Sequence, residues 1–419
     1  MSIELLSPAG NLHKLKLALH YGADAVYGGV SHFSLRNRSS KEFSYESFFE
    51  GVEYVKSLGK KIYVTINSFP FNSQIELYKT HIKKISQMQP DAFIVSTPGV
   101  IELCKDIAPE VPLHLSTQAN VLNYMDAKAF YKMGVSRIIA AREISLNDLK
   151  EIKQAIPELE LEAFVHGSMC FAYSGRCLIS SLQTGRVANR GSCANDCRFE
   201  YEIYTKEKES GTLLRLKESS EGTYIFNAKD LNLSAYIEDI IKSKVIDSLK
   251  IEGRTKSPYY TALTAKVYKE AIIDAKNSEF DATKYEKELD KLTNRGYSDG
   301  YLFSRPYSKH IDQNLETPEI KPSIQVCGEV GEDEKSFMCK HTIVPNEELE
   351  ILSPLCSKIE CAKNELGEVF FKQDRYYLKL YKITNLDKKE LDSVHSGYEI
   401  PIKLPQKLPC FSFLRKEVS

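Results

Sequence analysis

The stretch Tyr45-Glu-Ser-Phe48-Phe-Glu-Gly-Val52-Glu-Tyr-Val55-Lys-Ser-Leu58-Gly59, followed by Ile62-Tyr-Val-Thr-Ile66, decides the fold. Phe48, Val52 and Val55 recur at helical spacing, with Glu50, Glu53 and Lys56 among the polar positions between them. Ser44 ahead of the run is a natural N-cap, and Gly59 stands where a helix should stop. Residues 62–66 are mostly β-branched, the composition of a short buried strand. Working outward, the same unit repeats. Strand-like runs at 3–6, 25–27, 62–66, 92–95, 113–115, 137–140 and 161–165 alternate with helical stretches such as 12–21, 45–58, 75–88 and 146–155. Asn11 and Ser145 are further N-caps, and Gly22 and Gly134 further stops.

Seven β–α units in a row predict a parallel sheet with helical crossovers. A spacing of roughly 25–35 residues per unit suits a (β/α)8 barrel of about 250 residues. Residues 248–251, followed by a helix at 259–275, supply the eighth unit. The competing reading is a doubly wound open sheet, but no GxGxxG follows the first strand. The fold class expected is therefore α/β: a TIM-like barrel over residues 1–276, with a cysteine-rich insertion of about 166–222 after strand seven. Within the insertion, 199–204 is expected to pair with 224–227 as a hairpin, leaving 206–222 as a charged, solvated loop. A helical and turn connector (277–317) leads to a C-terminal all-β domain, a small β-barrel or sandwich, over 318–419. Strands there are expected at 323–326, 337–344, 349–352, 369–372 and 376–381.

A chain of 419 residues is too long for one compact core. Its formal charge of −1 argues against a generally basic nucleic-acid coat but leaves room for a regional patch. No apolar run approaches the roughly 20 residues that span a bilayer, and the start carries no secretory pattern. A cytoplasmic location without membrane partners is expected. Thiols should then be reduced, so the clustering of the ten cysteines matters more than their parity. Six are scattered; the other four, Cys170, Cys177, Cys193 and Cys197, lie within 28 residues.

Their spacing, Cys-x6-Cys-x15-Cys-x3-Cys, lacks the paired CxxC knuckles of a zinc ribbon. Thiolates suit an iron–sulfur cluster or zinc, with a [4Fe–4S] cluster ahead and zinc as the alternative. The plainer account is four buried or redox-paired thiols, which sits poorly with a polar, basic insertion. Arg176, Arg186, Arg190 and Arg198 interleave with the cysteines. They would stabilise an anionic cluster, meet RNA phosphate, or form a solvated face.

At this point the sequence resembles a known family. Glu162-Ala-Phe-Val-His166-Gly167-Ser168-Met-Cys170 and Gly175-Arg-Cys177-Leu-Ile-Ser180 are similar to the signature of the collagenase-like peptidases of unknown catalytic type, family 32 of that type. The resemblance runs on through Leu5-Leu-Ser-Pro8-Ala-Gly10, Ala23-Asp24-Ala-Val-Tyr27-Gly28-Gly29, Ala140-Ala-Arg142-Glu143, Lys229-Asp230-Leu and Ser248-Leu-Lys250-Ile-Glu252-Gly-Arg254. It implies one of two activities. The older family name implies proteolysis, including of collagen. Other branches imply oxygen-independent hydroxylation of tRNA wobble uridine, of a ribosomal cytidine, or of ubiquinone precursors, with iron–sulfur clusters on cysteines of this region. The four-cysteine set and the β-rich tail resemble the tRNA-hydroxylating branch most, which implies prephenate, a small dicarboxylate donor, as co-substrate. A non-catalytic iron–sulfur scaffold subunit is a third reading, and a homodimer is compatible with all three.

The residues themselves bear on the choice. None of the nine histidines sits in HExxH, and no GxSxG elbow is present. Ser168 and Cys170 are the candidate nucleophiles of a peptidase. For a hydroxylase, Arg142 at the end of strand six and Arg36 after strand two are placed to hold carboxylates. Glu143 and His166 are the proton-handling candidates. His114, Gln118 and Asn120 after strand five, and Lys250, Glu252 and Arg254 from strand eight, are expected around the same mouth. The plainer roles are a strand-end ion pair for Arg142–Glu143 and loop orientation for His166. Arg295-Gly-Tyr297 offers charge plus a stacking ring for RNA.

Overall fold

The structure is a computed structural model. It describes the chain apart from residues 1–2, 31–42, 171, 187, 189–192, 200, 207, 210, 212, 217–226, 304–313, 315–318 and 419.

Strands β1 (Glu4–Pro8), β2 (Ala25–Gly28), β3 (Lys61–Ile66), β4 (Ala92–Val95), β5 (Leu113–Leu115), β6 (Val135–Ile139) and β7 (Glu160–Ser168) pair in parallel in sequence order. The insertion then contributes β8 (Ile203–Lys206), β9 (Leu213–Leu216) and β10 (Asp230–Asn232). Strand β11 (Ser248–Ile251) pairs in parallel with both β1 and β7 and closes an eight-stranded barrel. The TIM-like expectation holds.

Helices α1 (Leu12–His20), α2 (Tyr45–Ser57), α3 (Ile75–Ser86), α4 (Pro98–Ile107), α5 (Tyr124–Lys132) and α6 (Leu146–Ala155) fill the crossovers. Asn11, Ser44 and Ser145 accept hydrogen bonds from the backbones of Lys14, Ser47 and Asp148, satisfying N–H groups that a helix leaves open at its start. Gly59 takes the left-handed conformation (φ +63°) just past α2, where a side chain would be strained.

Inside the barrel, Leu6, Ala25, Tyr27, Tyr63, Ala92, Ile94 and Ile139 form an apolar layer with Phe164. Toward the strand starts this layer gives way to a buried ion network. Arg137 meets Glu4 at 2.6 Å, Glu160 at 2.7 Å and Glu162 at 3.2 Å, and Lys250 meets Glu162 at 2.6 Å. Each buried charge is paired, as the cost of burial requires.

Two further helices, α7 (Ile179–Thr184) and α8 (Ile237–Ser243), follow β7, and α9 (Pro258–Asn277) follows β11. The stretch expected as a connector folds onto the barrel: α10 (Ala282–Leu289) buries Tyr285 and Leu289 in the main core, and Tyr297–Ser298 pairs with β10. Beyond it lies a separate antiparallel sheet of eight strands, including Ile324–Val330, Ser336–Cys339, Glu348–Leu352, Gly367–Lys372, Arg375–Leu380 and Phe413–Glu417. Its own core gathers Phe337, Leu349, Leu378 and Leu414.

One expectation for the insertion needs correction. Strand β8 pairs with β9, so a strand stands inside the stretch read as a solvated loop. Of the expected partner, residues 224–226 lie outside the described residues.

Arg415 locks the sheet to the barrel. Its fully buried guanidinium holds Glu350 of the sheet and Glu288 of α10, each at 2.6 Å, and donates to the Tyr259 hydroxyl at 2.7 Å. Arg415→Met removes these buried bonds but leaves both carboxylates paired with Arg375 and Lys291, and is expected to cost about 1.5–3 kcal/mol, read as a lowered urea midpoint. Glu76→Gln, at the exposed Lys79–Glu76 pair, should change stability by less than about 1 kcal/mol in the same assay.

Candidate active site

The C-terminal ends of β5, β6, β7 and β11 meet the insertion around a cavity of about 610 Å³. Arg142 and Glu143 enter it from the turn after β6, Ser168 from the end of β7, Thr117 and Gln118 from the turn after β5, and Lys256 from the loop after β11. All four clustered cysteines line it.

The first cysteine loop is clamped from below. Glu143 accepts from the Ser174 amide at 2.8 Å and from the Ser174 hydroxyl at 3.0 Å. The Arg142 amide donates to the Ser174 hydroxyl at 3.3 Å. Next in the chain, Gly175 adopts φ +73°, and a Cβ there would stand 2.3 Å from the Gln118 carbonyl oxygen. Only glycine lets the loop between Cys170 and Cys177 lie so close. The second pair is tied to the first through α7, where the Ala194 amide donates to the buried Ser180 hydroxyl at 2.8 Å.

Burial pushes the Cys197 thiol up, Arg198 opposes this, and the Cys170 and Cys193 sulfurs push it further up. The Cys170 and Cys193 sulfurs are therefore each within electrostatic reach of Cys197. Arg142 donates toward the Cys170 sulfur at 3.7 Å and to the Ser168 carbonyl at 2.8 Å. Among the described residues no three His, Cys, Asp or Glu side chains crowd one point closely enough to hold a single ion. The sulfurs ring the cavity instead.

A smaller pocket of about 100 Å³ lies in the barrel mouth, lined in part by Arg142, Lys250, Arg254, Glu252, Gln118 and Asn67. Arg142 and Arg254 face Glu252 here, while Lys250 lines the mouth with its ammonium paired to Glu162. Arg254 donates to the Thr65 hydroxyl at 3.3 Å, and Arg142 stands 3.9 Å from Glu252. Arg142, Thr117 and Gln118 line both spaces, so they form the partition between them.

Comparison with known proteins fits this geometry to a family. The model described as peptidase family U32 matches residues 10–312. The chain belongs to peptidase family U32. Among its relatives, a tRNA hydroxylation protein P of Helicobacter pylori is 56% identical over 417 residues, covering 99% of each chain. A 23S rRNA 5-hydroxycytidine synthase of Escherichia coli is 34% identical over 312 residues, covering 72% of this chain and 46% of that protein. A collagenase of Porphyromonas gingivalis is 32% identical over 315 residues, covering 72% of this chain and 74% of its own.

Within this U32 member, the residues singled out from sequence divide into groups. The four cysteines, Arg142, Glu143, Gln118 and Arg198 line the larger cavity, and Lys250, Glu252 and Arg254 line the mouth. Arg142 and Glu143 are not paired with each other; each is committed to the cysteine loop. His114 is buried beneath the mouth with its ring against Tyr63 at 4.7 Å. Desolvation and the neighbouring Arg137 and Lys250 hold its pKa well below the usual range. Asn120 lines neither space and caps a short 3-10 turn in the left-handed conformation. Arg176 and Arg186 are exposed, while Arg36 and Arg190 lie outside the described residues.

Two expectations are overturned by the packing. His166 does not reach the cavity; its ring is enclosed by Tyr260, Tyr268 and Tyr297. The register slips between Lys250 and Ile251 opposite β7, and this irregularity turns His166 outward although Glu162 and Phe164 face the interior. Arg295 and Tyr297 are no RNA platform either. Arg295 is buried against Asp230 at 2.6 Å, and the Tyr297 hydroxyl donates to the Leu289 carbonyl at 3.0 Å. Ser174 and Lys256 were not anticipated, because neither carries a recognisable spacing of its own.

Two predictions test the geometry. Gly175→Ala should displace the cysteine loop and cost about 1–3 kcal/mol through strain and the Gln118 clash, seen as a lower melting temperature. Burial pushes His166 down to about 4 from an ordinary value near 6.5. Between those values the unfolded chain binds a proton that the folded chain does not. Its contribution to stability is thus complete above about pH 6.5 and drains as pH falls toward 4, by up to about 3 kcal/mol. Urea titrations at about pH 7 and about pH 4.5 should show His166→Gln losing less stability than wild type over that interval.

Proposed function

We propose that this protein is an RNA-modifying hydroxylase that installs a hydroxyl at C5 of the wobble uridine in tRNA. On this reading it takes the oxygen from prephenate and holds a [4Fe–4S] cluster on Cys170, Cys177, Cys193 and Cys197. The observation that carries it is the convergence of four thiols on one cavity beside a cationic barrel mouth. The names of the similar tRNA and rRNA proteins support the substrate class.

The donor set suits the cluster. Four soft thiols lining one cavity, with Arg142 and Arg198 among them, are the donor type of an anionic iron–sulfur cluster, and zinc would take the same donors. Such a centre, when bound, supplies one-electron redox chemistry or a Lewis-acidic site. The rest falls to the chain. Arg142, Lys250 and Arg254 would bind the carboxylates of the donor, and the bidentate geometry of arginine would orient it. Gln118 and Asn67 add polar contacts at the same mouth. Glu143 fixes the cysteine loop through Ser174. The larger cavity has room for a base turned out of an RNA loop.

The peptidase reading has the collagenase relative behind it. Ser168 and Cys170 both line the cavity, but no histidine does among the described residues, and His166 faces away. A nucleophile without a nearby base is poorly equipped for acyl transfer. That reading predicts cleavage of unfolded collagen chains that disappears with Ser168→Ala or Cys170→Ala.

Nucleoside mass spectrometry of tRNA from a deletion strain is expected to show wobble hydroxylation lost, restored by the wild-type gene and not by Cys177→Ser. Arg142→Ala should lower activity by about ten- to hundredfold, the worth of a charge-assisted hydrogen bond. Full hydroxylation in the deletion strain, in the absence of a second enzyme, would overturn the assignment.

A further inference from the structure

Among the described residues the half-buried Lys256 ammonium forms no salt bridge. The Lys256 amide donates to the Gly253 carbonyl at 2.9 Å, closing a turn just after β11 and ahead of Ser257, the N-cap of α9. The side chain lines the larger cavity together with Thr255 and Arg198, and it does not line the barrel mouth. Its ammonium stands 5.5 Å from the centre of the Tyr260 ring. Among the described residues it takes no hydrogen bond and no ion pair.

Arg137, Arg295 and Arg415 are fully buried and each holds one or more carboxylates, whereas Lys256 is half-buried and has none within pairing distance among the described residues. Asp230 is within electrostatic reach of Lys256, but Arg295 already occupies it at 2.6 Å. Burial lowers the Lys256 pKa; Asp230 and Glu319 pull it up, while Arg198 and Arg295 push it down. Water is partly removed from the ammonium and, among the described residues, no carboxylate pairs with it directly, a cost that an incoming anion would relieve.

The chemistry of the proposed substrate says which anion. Carboxylates of a small donor are served in the mouth by Arg142, Lys250 and Arg254, on the far side of the partition. An RNA loop that places one base in the larger cavity must also bring its backbone to the cavity wall, one phosphate per nucleotide. Resting on the RNA reading above, we propose that Lys256, with Arg198 nearby, seats a single RNA phosphate adjacent to the nucleotide that enters the larger cavity.

The test measures binding of an anticodon stem-loop oligonucleotide to wild-type, Lys256→Gln and Lys256→Arg enzymes across a range of salt. Each phosphate neutralised on a single strand contributes about 0.7 to the slope of log affinity against log salt. Lys256→Gln should reduce the slope by about that amount, and Lys256→Arg should keep it. Methylphosphonate at one linkage beside the target nucleotide should reproduce the Lys256→Gln loss in the wild type and add nothing in the variant, while other linkages add independently. An unchanged slope in Lys256→Gln overturns the inference, as does strict additivity at every linkage. Normal affinity with slowed turnover also overturns it and assigns Lys256 to the chemistry. Wild-type enzyme with no salt-dependent binding of the stem-loop overturns the RNA reading itself, an outcome distinct from all of these.

Discussion

Closure of the barrel by β11 is the constraint from which the site follows. Ser248 is in register with Glu4 on one side and with Glu162 on the other, both in parallel. A parallel neighbour cannot be reached by a tight turn, so the chain leaving β7 at its C-terminal end must travel before re-entering at the start of β11. It spends the departure on the cysteine loops and the return on α8. Between them β10 runs back antiparallel to β7, with Asp230 opposite Ser168, and pins the excursion against the barrel rim. The four cysteines therefore stand at the rim because of topology, before any ligand is considered.

The same closure sets the electrostatics. Pairing β11 to β7 brings Lys250 against Glu162, and β6 adds Arg137 from the other side. Charges near the strand starts are matched and enclosed. Toward the strand ends the balance tips: Arg142 and Arg254 face the mouth with Glu252 as the carboxylate among the lining residues, beside the Lys250 that Glu162 already matches. A low-dielectric wall makes such an excess count for more than it would in water. The lower barrel is thus arranged for stability and the upper barrel for an anion.

Much of this was legible in the sequence, for identifiable reasons. Buried parallel strands read as short, largely apolar runs between helical stretches, and 92–95, 113–115 and 248–251 match the observed strands residue for residue. Helix starts were legible because Asn11, Ser44 and Ser145 are chemically suited to accept backbone N–H groups. The cysteines were legible because four soft ligands in one short polar stretch have few other uses. Side-chain direction was not. His166 follows the inward-facing Glu162 and Phe164 at the strand period, yet a slip in register reverses it, and no sequence pattern announces that slip. The β9 strand was hidden for a related reason: Leu213 and Leu214 sit between charged segments whose composition reads as loop. Arg295 looked like a free basic group because its partner Asp230 lies 65 residues away in the chain.

Arg142 shows how the two spaces would act together. Its guanidinium lies 4.5 Å from the centre of the Phe164 ring inside the barrel, while one nitrogen points at the Cys170 sulfur and the Nε takes no partner among the described residues. On the proposed function, a carboxylate arriving in the mouth would compete for this cation with the thiolate side. Two anions that share a single guanidinium are coupled: whichever binds first fixes its position and partly neutralises its charge. The sign of that coupling depends on geometry. A planar fork can serve a ligand on each edge, so preorganisation by the first would assist the second even as their charges repel. On that reading the partition would couple donor pocket and thiol ring through Arg142, whose guanidinium is not paired with Glu143, which holds Ser174.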